Sequence, residues 1–392
     1  MSNHVHEVIS VAKPHTIKKF ELIETYIKSW AQKLMLQDAC NGLIYIDCMC
    51  NSGIYKDVSG NEVDGSPVRV ARVLLDVARK YTGKTVELYF NDKDKNKVEE
   101  LKKHLPADEG NFSIVTSVKD ASELLTTIGD QLTKTSKRHY FLLYDPYDAS
   151  IDWEALFPFF QNWGEVLINH MVSDPVRAIA SAKRQMTKEK YEKTYLEDFE
   201  RLLPYGTDKE AYEKRVDEII KRMKGSRRYY VAAFPFYNTQ NAHLYDLVHC
   251  TSNPAGFELY KQSAWKVFGA QSSTKHISSA RQLKLQMDGT YVPDTDESCL
   301  TVNDIAYYIQ KSFDGRMQVP LSEVWALLES HPIFPSKGFR SEIKDELKTF
   351  YGVRVHTATN RLSGKRELFV DFVCKYPRTS IEGDIAKGVD AT

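Results

Sequence analysis

The sequence predicts an α/β fold, in which a Rossmann-like, seven-stranded, mostly parallel sheet with a helical insertion is followed by a C-terminal winged-helix-like domain. Three observations lead to this prediction. Short apolar runs alternate with amphipathic segments of about ten residues or more, which is the pattern of consecutive βαβ units. A basic, helical stretch then interrupts the alternation. The last part of the chain has three helical segments followed by two strand-like ones.

The first amphipathic helix is predicted at 18–36, where apolar residues recur at three- and four-residue steps. An apolar run at 43–47 ends in small and turn-forming residues, which indicates a buried strand that leads into a loop. The same alternation predicts the next elements in order: helix 66–81, strand 86–91, helix 95–104, strand 112–116, helix 121–132, strand 140–144, helix 153–163 and strand 165–169.

Between 175 and 228 the alternation stops, and lysines and arginines are interleaved with acids in helical sequence. We predict a helical insertion with a basic face here, although such faces are often only solvated surface. Two strand-like runs follow at 230–236 and 244–252, with a short polar turn between them. Because the turn is short, these strands should pair antiparallel, so that the last strand of the sheet is reversed.

The polar, turn-rich segment 289–297 predicts a domain boundary, with a first domain at 1–290, a second at 298–376 and a flexible tail at 377–392. The second domain should contain helices at 302–312, 321–329 and 339–350 and strands at 353–357 and 367–372. Three helices and a β-hairpin are the layout of a winged helix. The third helix would be the recognition helix if this domain binds nucleic acid.

Composition narrows the classes of partner and site. Basic and acidic residues number 53 each, so any contact with nucleic acid must come from a local patch. The six cysteines are scattered and show no Cys-x-x-Cys pair, which indicates a reduced compartment and no metal site. There is neither a signal peptide nor an apolar stretch of about 18 residues. We therefore expect a cytoplasmic protein with no membrane partner.

The residues that follow each strand are the candidates for ligand binding, because ligands of such sheets lie beyond the carboxyl ends of the strands. The loop after the first strand contains Asp47, Cys48, Asn51 and Gly53. In a nucleotide-binding βαβ unit, this loop lets the backbone approach the ligand, and its acid can bind an ammonium group or a water. These four residues are candidate cofactor ligands, with an ordinary βα turn as the alternative.

The second and third strands also end near acids. Asp92 can accept both ribose hydroxyls of a nucleoside, a geometry shared by NAD and S-adenosylmethionine sites. It follows Asp47 by about forty-five residues, whereas a dinucleotide fingerprint has roughly twenty, and this disfavours NAD. Asp120 and Ala121 stand where an acid can bond to an adenine amino group. Either acid could instead cap the next helix.

The turn Asp145-Pro146-Tyr147 after the fourth strand is the most specific feature of the chain. A carboxylate and carbonyls at a proline-stiffened turn can accept hydrogen bonds from an exocyclic amino group, while the aromatic ring stacks on a base. The nitrogen lone pair is then aimed at a methyl sulfonium. We predict these three residues to be catalytic, and the alternative is a structural turn with a packed tyrosine.

Taken in this order, the residues at the strand ends resemble those of the three-Cys-motif partner protein (TcmP) family, which are bacterial proteins with a methyltransferase-like fold. The resemblance covers roughly 13–270 and depends on these motifs: Lys13-Pro14-His15-Thr16, Tyr45-Ile46-Asp47, Ser52-Gly53-Ile54-Tyr55, Gly65-Ser66-Pro67, Asn91-Asp92, Asp145-Pro146-Tyr147 and Glu165-Val166-Leu167-Ile168-Asn169. It implies a class I methyltransferase type of sheet and S-adenosylmethionine as the cofactor. The Asp-Pro-Tyr turn is also similar to the Asp-Pro-Pro-Tyr signature of N6-adenine methyltransferases, without the second proline.

Two functions remain open. The first is an S-adenosylmethionine-dependent methyltransferase that modifies an amino group of a nucleic-acid base, with the basic insertion and the winged helix on the DNA or RNA backbone. The second is a non-catalytic nucleic-acid-binding or scaffolding partner with a degenerate methyltransferase fold. It is favoured because 48–51 holds larger side chains where the family has small residues. Winged helices also contact proteins, so a protein partner is open as well.

Other classes fit the sequence less well. No Gly-x-Gly-x-x-Gly motif follows the first strand, which disfavours an NAD-dependent oxidoreductase. The acids lack the paired spacing that a nuclease needs for Mg²⁺. Cys48 and Cys50 lie two residues apart, but without a third ligand nearby in the sequence we predict neither a metal site nor a redox pair.

Overall fold

The computed structural model describes residues 8–135, 138–160, 163–173, 178–179, 181–202, 219, 221, 229–277, 283–287, 289–294, 296–360 and 364–373. The chain divides into two compact units, Met1–His276 and Ile277–Thr392. This division lies before the turn-rich segment at which the sequence places the boundary. Most of the predicted insertion at 175–228 and the whole predicted tail at 377–392 fall outside the described residues.

The first unit contains both strands and helices around one sheet. In chain order its elements are β1 (Ser10–Val11), α1 (Pro14–Met35), β2 (Gly42–Asp47), β3 (Ile54–Lys56), β4 (Glu62–Asp64), α2 (Ser66–Lys80), β5 (Thr85–Asn91), α3 (Lys95–Lys102), β6 (Phe112–Ser117), α4 (Ala121–Thr135), β7 (Arg138–Tyr144), α5 (Trp153–Leu156), β8 (Gly164–Met171), α6 (Gln185–Tyr195), α7 (Phe199–Leu202), β9 (Tyr230–Tyr237), β10 (His243–Thr251) and α8 (Pro254–Val267).

Seven strands form the central sheet in the order β6-β5-β2-β7-β8-β10-β9. The first five of these strands pair in parallel, and β10 pairs antiparallel with both β8 and β9. This confirms the predicted Rossmann-like, mostly parallel seven-stranded sheet, including its reversed final strand. The chain first builds outward from β2 through β5 to β6 and then returns to the other side of β2 at β7. A doubly wound sheet binds its ligands at such a switch point.

Helices on both faces bury the sheet. All six residues of β2 are buried, which is expected for a central parallel strand covered on both sides. On one face, the ring of Tyr26 from α1 packs 5.7 Å from that of Phe141 and 5.4 Å from that of Tyr260. On the other face, Ile46 and Leu142 belong to a separate buried cluster. Successive residues of a strand point to opposite faces, so each strand contributes to both cores.

In the described part of the first unit, three local features differ from the sequence-based prediction. A small sheet, β1-β3-β4, and the helix α8 were not predicted. The signal for α8 was present, because Asn253 caps it through the Ala255 N–H and Pro254 occupies its first position. The predicted helix 153–163 is wrong in length. α5 ends at Leu156 and a 3₁₀ turn follows, where Pro158 has no N–H to continue the α-helix.

In its described residues, the second unit contains three helices and two small sheets. Its elements are β11 (Leu283–Leu285), β12 (Tyr291–Pro293), α9 (Val302–Phe313), β13 (Val319–Pro320), α10 (Leu321–Glu329), α11 (Arg340–Tyr351), β14 (Arg354–Thr359) and β15 (Arg366–Asp371). A capping box between Thr301 and Asp304 begins α9. The strands β14 and β15 form an antiparallel hairpin to which β13 adds a third strand.

None of the helices in the described part of the chain is both long and apolar enough to span a lipid bilayer.

Candidate functional site

A cavity of about 710 Å³ opens at the carboxyl edge of the sheet. The loops that follow β2, β5, β6 and β7 form its walls, and α6 contributes a further side. The cavity therefore lies beside the β2–β7 switch point, where the strand order reverses. Its volume is within the range of about 300–1,000 Å³ that is typical of small-molecule sites.

The predicted site residues fall into two groups. Those that line the cavity are Cys48, Asp120, Ala121, Pro146 and Tyr147. Those that do not appear among its described lining residues are Asp47, Asn51, Gly53, Asp92 and Asp145. Residues of the second group support the loops of the first, as the hydrogen bonds below show.

The loop after β2 is fixed to both neighbouring strands. The Cys50 N–H donates to the Asn91 carbonyl at 2.8 Å, and the Asn91 side-chain amide donates to the Cys48 carbonyl at 3.1 Å. The Cys48 thiol donates to the Leu143 carbonyl at 3.2 Å on the other side. Asn91 also accepts from the Lys119 N–H at 3.1 Å, which joins the loop after β6 to the same network. The cavity wall is therefore a hydrogen-bonded unit.

Gly53 has a packing role in this loop. Its φ of +72° lies in the left-handed region, and an added Cβ would lie 2.3 Å from Leu101 Cδ1 and 3.0 Å from Val68 Cγ2. Only glycine lets the loop approach α2 and α3 this closely. The prediction that Gly53 gives a ligand access to the backbone stays a prediction, whereas its contact with these helices is direct.

Asp92 is buried and accepts hydrogen bonds with both carboxylate oxygens. Its Oδ2 accepts from the Asn51 N–H at 3.0 Å and from the Tyr147 hydroxyl at 2.6 Å, and its Oδ1 accepts from the Asp94 N–H at 2.9 Å. The residue that caps α3 is Asp94, which accepts from the Asn96 N–H. Asp92 is thus not the helix cap, and a hydroxyl group is already bound to it.

Tyr147 connects two walls of the cavity. Besides its bond to Asp92, its hydroxyl accepts from the Lys97 ammonium at 3.0 Å, and that ammonium lies 4.6 Å from the centre of the ring. The side chain nevertheless remains 52% exposed. It ties the loop after β7 to the loop after β5 without being packed in the core.

Asp120 caps the helix α4 and also faces the cavity. One carboxylate oxygen accepts from the Ser122 N–H at 2.9 Å, as in a standard N-cap. The residue is exposed, and its second oxygen is available to a ligand beside the small side chain of Ala121. Capping and binding, the two alternatives of the sequence analysis, are compatible here.

Asp145 is held by two partners from distant parts of the chain. Lys19 of α1 forms an ion pair with its Oδ2 at 2.5 Å, and the Asn169 side-chain amide donates to its Oδ1 at 2.5 Å. Sequence reasoning missed Lys19. The signal was a lysine in the buried stripe of α1, since it precedes the buried residues Ile23 and Tyr26 by four and seven positions.

Asp47 is buried and lies close enough to Asp145 and Asp92 for their charges to act on it. Burial, which is the largest cause, and the charge of Asp145, which is the next, raise the pKa of Asp47 to about 8. The Met49 N–H donates to its carboxyl at 3.3 Å, and this bond opposes the shift. Asp47 is therefore mostly protonated at neutral pH. The structure thus brings Asp47 and Asp145 together, as the strand-end argument predicts.

The two neighbouring cysteines are packed side chains. Burial and the nearby Asp47 raise the pKa of both the Cys48 and the Cys50 thiol well above the usual range. Both are thiols at neutral pH, which disfavours redox chemistry or metal binding. Within the described ranges, no cluster of three His, Cys, Asp or Glu side chains is arranged to hold a metal ion.

The first helix of the predicted insertion contributes one side of the cavity. Lys190 of α6 pairs with Asp148 at 2.9 Å, and the Trp153 indole N–H donates to the Thr194 carbonyl at 2.8 Å. These contacts tie α6 to the loop that follows β7. Among the described basic residues of the insertion, Lys190 and Lys193 line the cavity.

Comparisons with known proteins give distant similarities. No protein-family model and no curated protein sequence matches the chain. A proposed O-methyltransferase from Klebsiella pneumoniae is similar with 10% identity and a TM-score of 0.32, over 62% of this chain and 91% of that one. A DUF574 family protein from Streptomyces avermitilis has 11% identity and a TM-score of 0.30, over 59% of this chain and 82% of that one.

Loganic acid methyltransferase, solved with SAH, has 10% identity and a TM-score of 0.26, over 89% of this chain and 75% of that one. Two of these three proteins are named methyltransferases. Similarities at this level do not extend a substrate or an activity to this chain, whose sheet is defined by its own strand pairing.

Proposed function

We propose that this chain is an S-adenosylmethionine-dependent methyltransferase that modifies an amino group of a nucleic-acid base, in line with its resemblance to the TcmP family. One observation carries the proposal, namely the cavity of about 710 Å³ that four strand-end loops form at the switch point of the sheet. Doubly wound sheets bind nucleotides at this position.

The residues of the cavity suit an adenosine group. Asp120 offers a carboxylate oxygen to the adenine amino group, and Ala121 leaves room for the ring. Asp92 already accepts a hydrogen bond from the Tyr147 hydroxyl, the same kind of group as a ribose hydroxyl. The aromatic side chains of Tyr144 and Trp153 form further walls. When bound, S-adenosylmethionine supplies an electrophilic methyl group.

The chain's own part in the reaction is to position the acceptor. Pro146 and Tyr147 line the cavity, and Asp145 is fixed behind them by Lys19 and Asn169. This arrangement holds the turn rigid, so that carbonyls of the turn can accept from an amino group. Positioning of this kind can lower the barrier substantially when no strong base is needed.

We further propose that the second unit is a winged helix that contacts the nucleic-acid backbone through its hairpin. Arg366 of β15 and the adjacent Lys365 are exposed near the hairpin turn, and Arg354 of β14 is exposed at the other end of the hairpin. Basic side chains at a wing can neutralise phosphates, which gives affinity without sequence preference. The helix α11 is less suited, because its exposed charged residues are two acids, Glu342 and Asp345, and one base, Lys348.

The second candidate, a scaffolding partner without catalysis, is supported by one specific observation. Both Asp92 and Asp145 accept hydrogen bonds with each of their carboxylate oxygens from this chain's own groups. A site that has lost its ligand would be expected to satisfy its acids in this way. The two candidates differ in whether the adenosyl group can displace the Tyr147 hydroxyl.

Isothermal titration of the full chain with S-adenosylmethionine and with S-adenosylhomocysteine tests the proposal. We expect saturable binding that Ala121→Trp abolishes, because the larger side chain fills the cavity. Ala107→Trp is the matched control, since Ala107 is exposed outside the cavity. Absence of binding at millimolar ligand would favour the scaffold. Transfer of labelled methyl from the cofactor to DNA, RNA or protein then identifies the acceptor.

A further inference from the structure

A second cavity, of about 330 Å³, lies within the first unit where the start of α1 meets the end of β9 and the segment after α8. None of its lining residues belongs to the first cavity. We call it the basic pocket and define it by these residues: Pro14, His15, Lys18, Tyr237, Thr239, Val267, Phe268, Gly269, Gln271, Thr274, Lys275 and His276.

The basic pocket has a charge of one sign. Its described lining includes two lysines and two histidines and no carboxylate. The chain as a whole has equal numbers of basic and acidic residues, so composition does not account for this. Lys18 pairs with Glu21 at 2.7 Å, but both side chains are more than a third exposed. Such a pair is weak and can exchange partners.

The pKa of His15 is consistent with a positive potential in the basic pocket. Burial, which is the largest cause, lowers the pKa of His15 to about 4, and the charges of Lys13 and then Lys19 add to this shift. His15 is therefore uncharged at neutral pH and can donate or accept a hydrogen bond. The start of α1 adds to the potential, because its first turn contains no acid and its N-cap residue makes no side-chain hydrogen bond.

The remaining walls suit a flat ring next to the anion. Tyr237 is largely buried and stacks on His243, with ring centres 5.0 Å apart and planes at 24°. The Lys275 ammonium lies 5.6 Å from the centre of the Tyr237 ring. Phe268 provides a second aromatic wall. An anionic group attached to an aromatic or sugar ring would meet both kinds of surface.

The basic part of the pocket is held in place by internal hydrogen bonds. The Gln271 amide donates to the Ser273 carbonyl at 2.8 Å and to the Lys275 carbonyl at 3.1 Å. The Thr274 hydroxyl accepts from the Tyr237 N–H at 2.7 Å, which attaches the segment to β9. A segment fixed in this way loses little conformational entropy when a ligand binds.

The pocket also lies beside the turn proposed to hold the acceptor. Lys18 lines the pocket, and the next residue, Lys19, bonds to Asp145. Tyr245 contacts both sides, since its ring lies 6.1 Å from that of His15 and 5.6 Å from the Lys19 ammonium. Tyr237 ends β9, which runs in the same direction as the parallel strands. Both sites are thus at the carboxyl edge of the sheet.

We propose that the basic pocket binds a backbone phosphate of the acceptor nucleic acid, next to the base held at the Asp145-Pro146-Tyr147 turn. This inference rests on the proposed function and adds a second contact to it. Two lysines supply charge, the positive end of the α1 dipole adds to it, and Tyr237 supplies a surface for the attached sugar or base.

The test measures binding of the full chain to a fluorescein-labelled single-stranded DNA oligonucleotide across a range of salt concentrations. We expect the double variant Lys18→Met, Lys275→Met to bind at least tenfold more weakly. Its slope of log K against log salt should also fall by about one, because the contact with one phosphate is lost. Methionine keeps the length of each stem, and a thermal melt checks that the fold is intact.

The matched control is the double variant Lys33→Met, Lys80→Met. Lys33 is exposed on the same helix as Lys18, and Lys80 lies 5.4 Å from a tyrosine ring much as Lys275 does. Its affinity and salt slope should fall less than those of the pocket variant. Equal losses in the two double variants would overturn the proposal, because the lysines would then act only through overall charge.

Two further arms separate the remaining outcomes. Inorganic phosphate alone should bind far more weakly than the oligonucleotide, and equal affinity would show a free-phosphate site instead, which overturns the proposal. S-adenosylhomocysteine should bind the wild type and the pocket variant equally. If the oligonucleotide requires the two lysines but S-adenosylhomocysteine does not bind at all, the phosphate site stands and the methyltransferase proposal fails.

Discussion

Replacing Tyr147 by phenylalanine should tighten the binding of an adenosyl ligand, although it removes a hydrogen bond from the protein. In the structure, the Tyr147 hydroxyl donates a hydrogen bond to the Asp92 carboxylate at 2.6 Å. If the ribose hydroxyls bind to the same carboxylate, the ligand must first break this bond. Phenylalanine has no hydroxyl, so the carboxylate of the variant is open to the ligand, while the ring can keep its contact with the Lys97 ammonium.

The size of the effect follows from the bond that is lost. A hydrogen bond to a charged group contributes about 1.5–3 kcal/mol net. Because half of the Tyr147 side chain is exposed, water can replace part of the interaction, and we take the lower end of that range. About 1.4 kcal/mol corresponds to tenfold in affinity. We therefore expect the dissociation constant to fall about tenfold and the free energy of unfolding without ligand to fall by about 1 kcal/mol.

Isothermal titration with S-adenosylhomocysteine and urea unfolding measure these two effects on the same preparations. Tyr144→Phe is the matched control, because its hydroxyl lies in the same cavity but accepts from the Asp152 N–H and does not contact Asp92. It should not gain affinity. An unchanged or weaker affinity of Tyr147→Phe, with binding by the wild type intact, would refute the reasoning that Asp92 receives the ribose.

Three further substitutions test the loops around the cavity. The folded pKa of Asp47, about 8, exceeds its ordinary value of 3.8, so folding takes up a proton. The wild type should lose up to about 1.4 kcal/mol of stability per pH unit between roughly pH 4 and pH 8. In urea unfolding, Asp47→Asn should remove this slope, and an equal slope in both proteins would contradict the shift. Gly53→Ala should lower the unfolding free energy by about 2–4 kcal/mol through its positive φ and steric overlap. Gly60→Ala, also at positive φ but with open space around the added Cβ, should cost only about 1 kcal/mol; similar losses would exclude the overlap. Lys19→Met should cost about 3 kcal/mol because it leaves the Asp145 carboxylate unpaired. Adding Asp145→Asn should recover much of that loss in a double-mutant cycle, whereas additive losses would argue against the ion pair.

Much of the fold could be predicted from the sequence, because the relevant signals are local. Each central strand is a short apolar run, and each covering helix shows apolar residues at helical spacing. The short turn before β10 already required an antiparallel final pair, which the structure has. Helix α10 begins and ends at the residues that the pattern indicated. The extra sheet formed by β1, β3 and β4 was missed, because strands of two or three residues leave almost no periodic signal.

The candidate site, like the fold, could be predicted from the sequence only in part. That acids at the ends of neighbouring parallel strands meet at one edge follows from topology alone. Whether an acid is open to a ligand does not follow, because its partner can come from anywhere in the chain. Asp92 is bound by Tyr147, 55 residues away, and Asp145 is bound by Lys19, 126 residues away. No local pattern marks either pair.

The sequence by itself determined the order of the central strands along the chain and the edge of the sheet at which chemistry can occur, since both depend on periodicity and chain connectivity. Only the tertiary structure decided which carboxylates already accept hydrogen bonds from the chain itself. It also decided that Asp47 is protonated at neutral pH and that the start of α1 and the segment after α8 form one basic pocket. The physical reason is that hydrogen bonds, burial and electrostatic potential depend on distances in space, and packing brings together residues that sequence separation keeps apart.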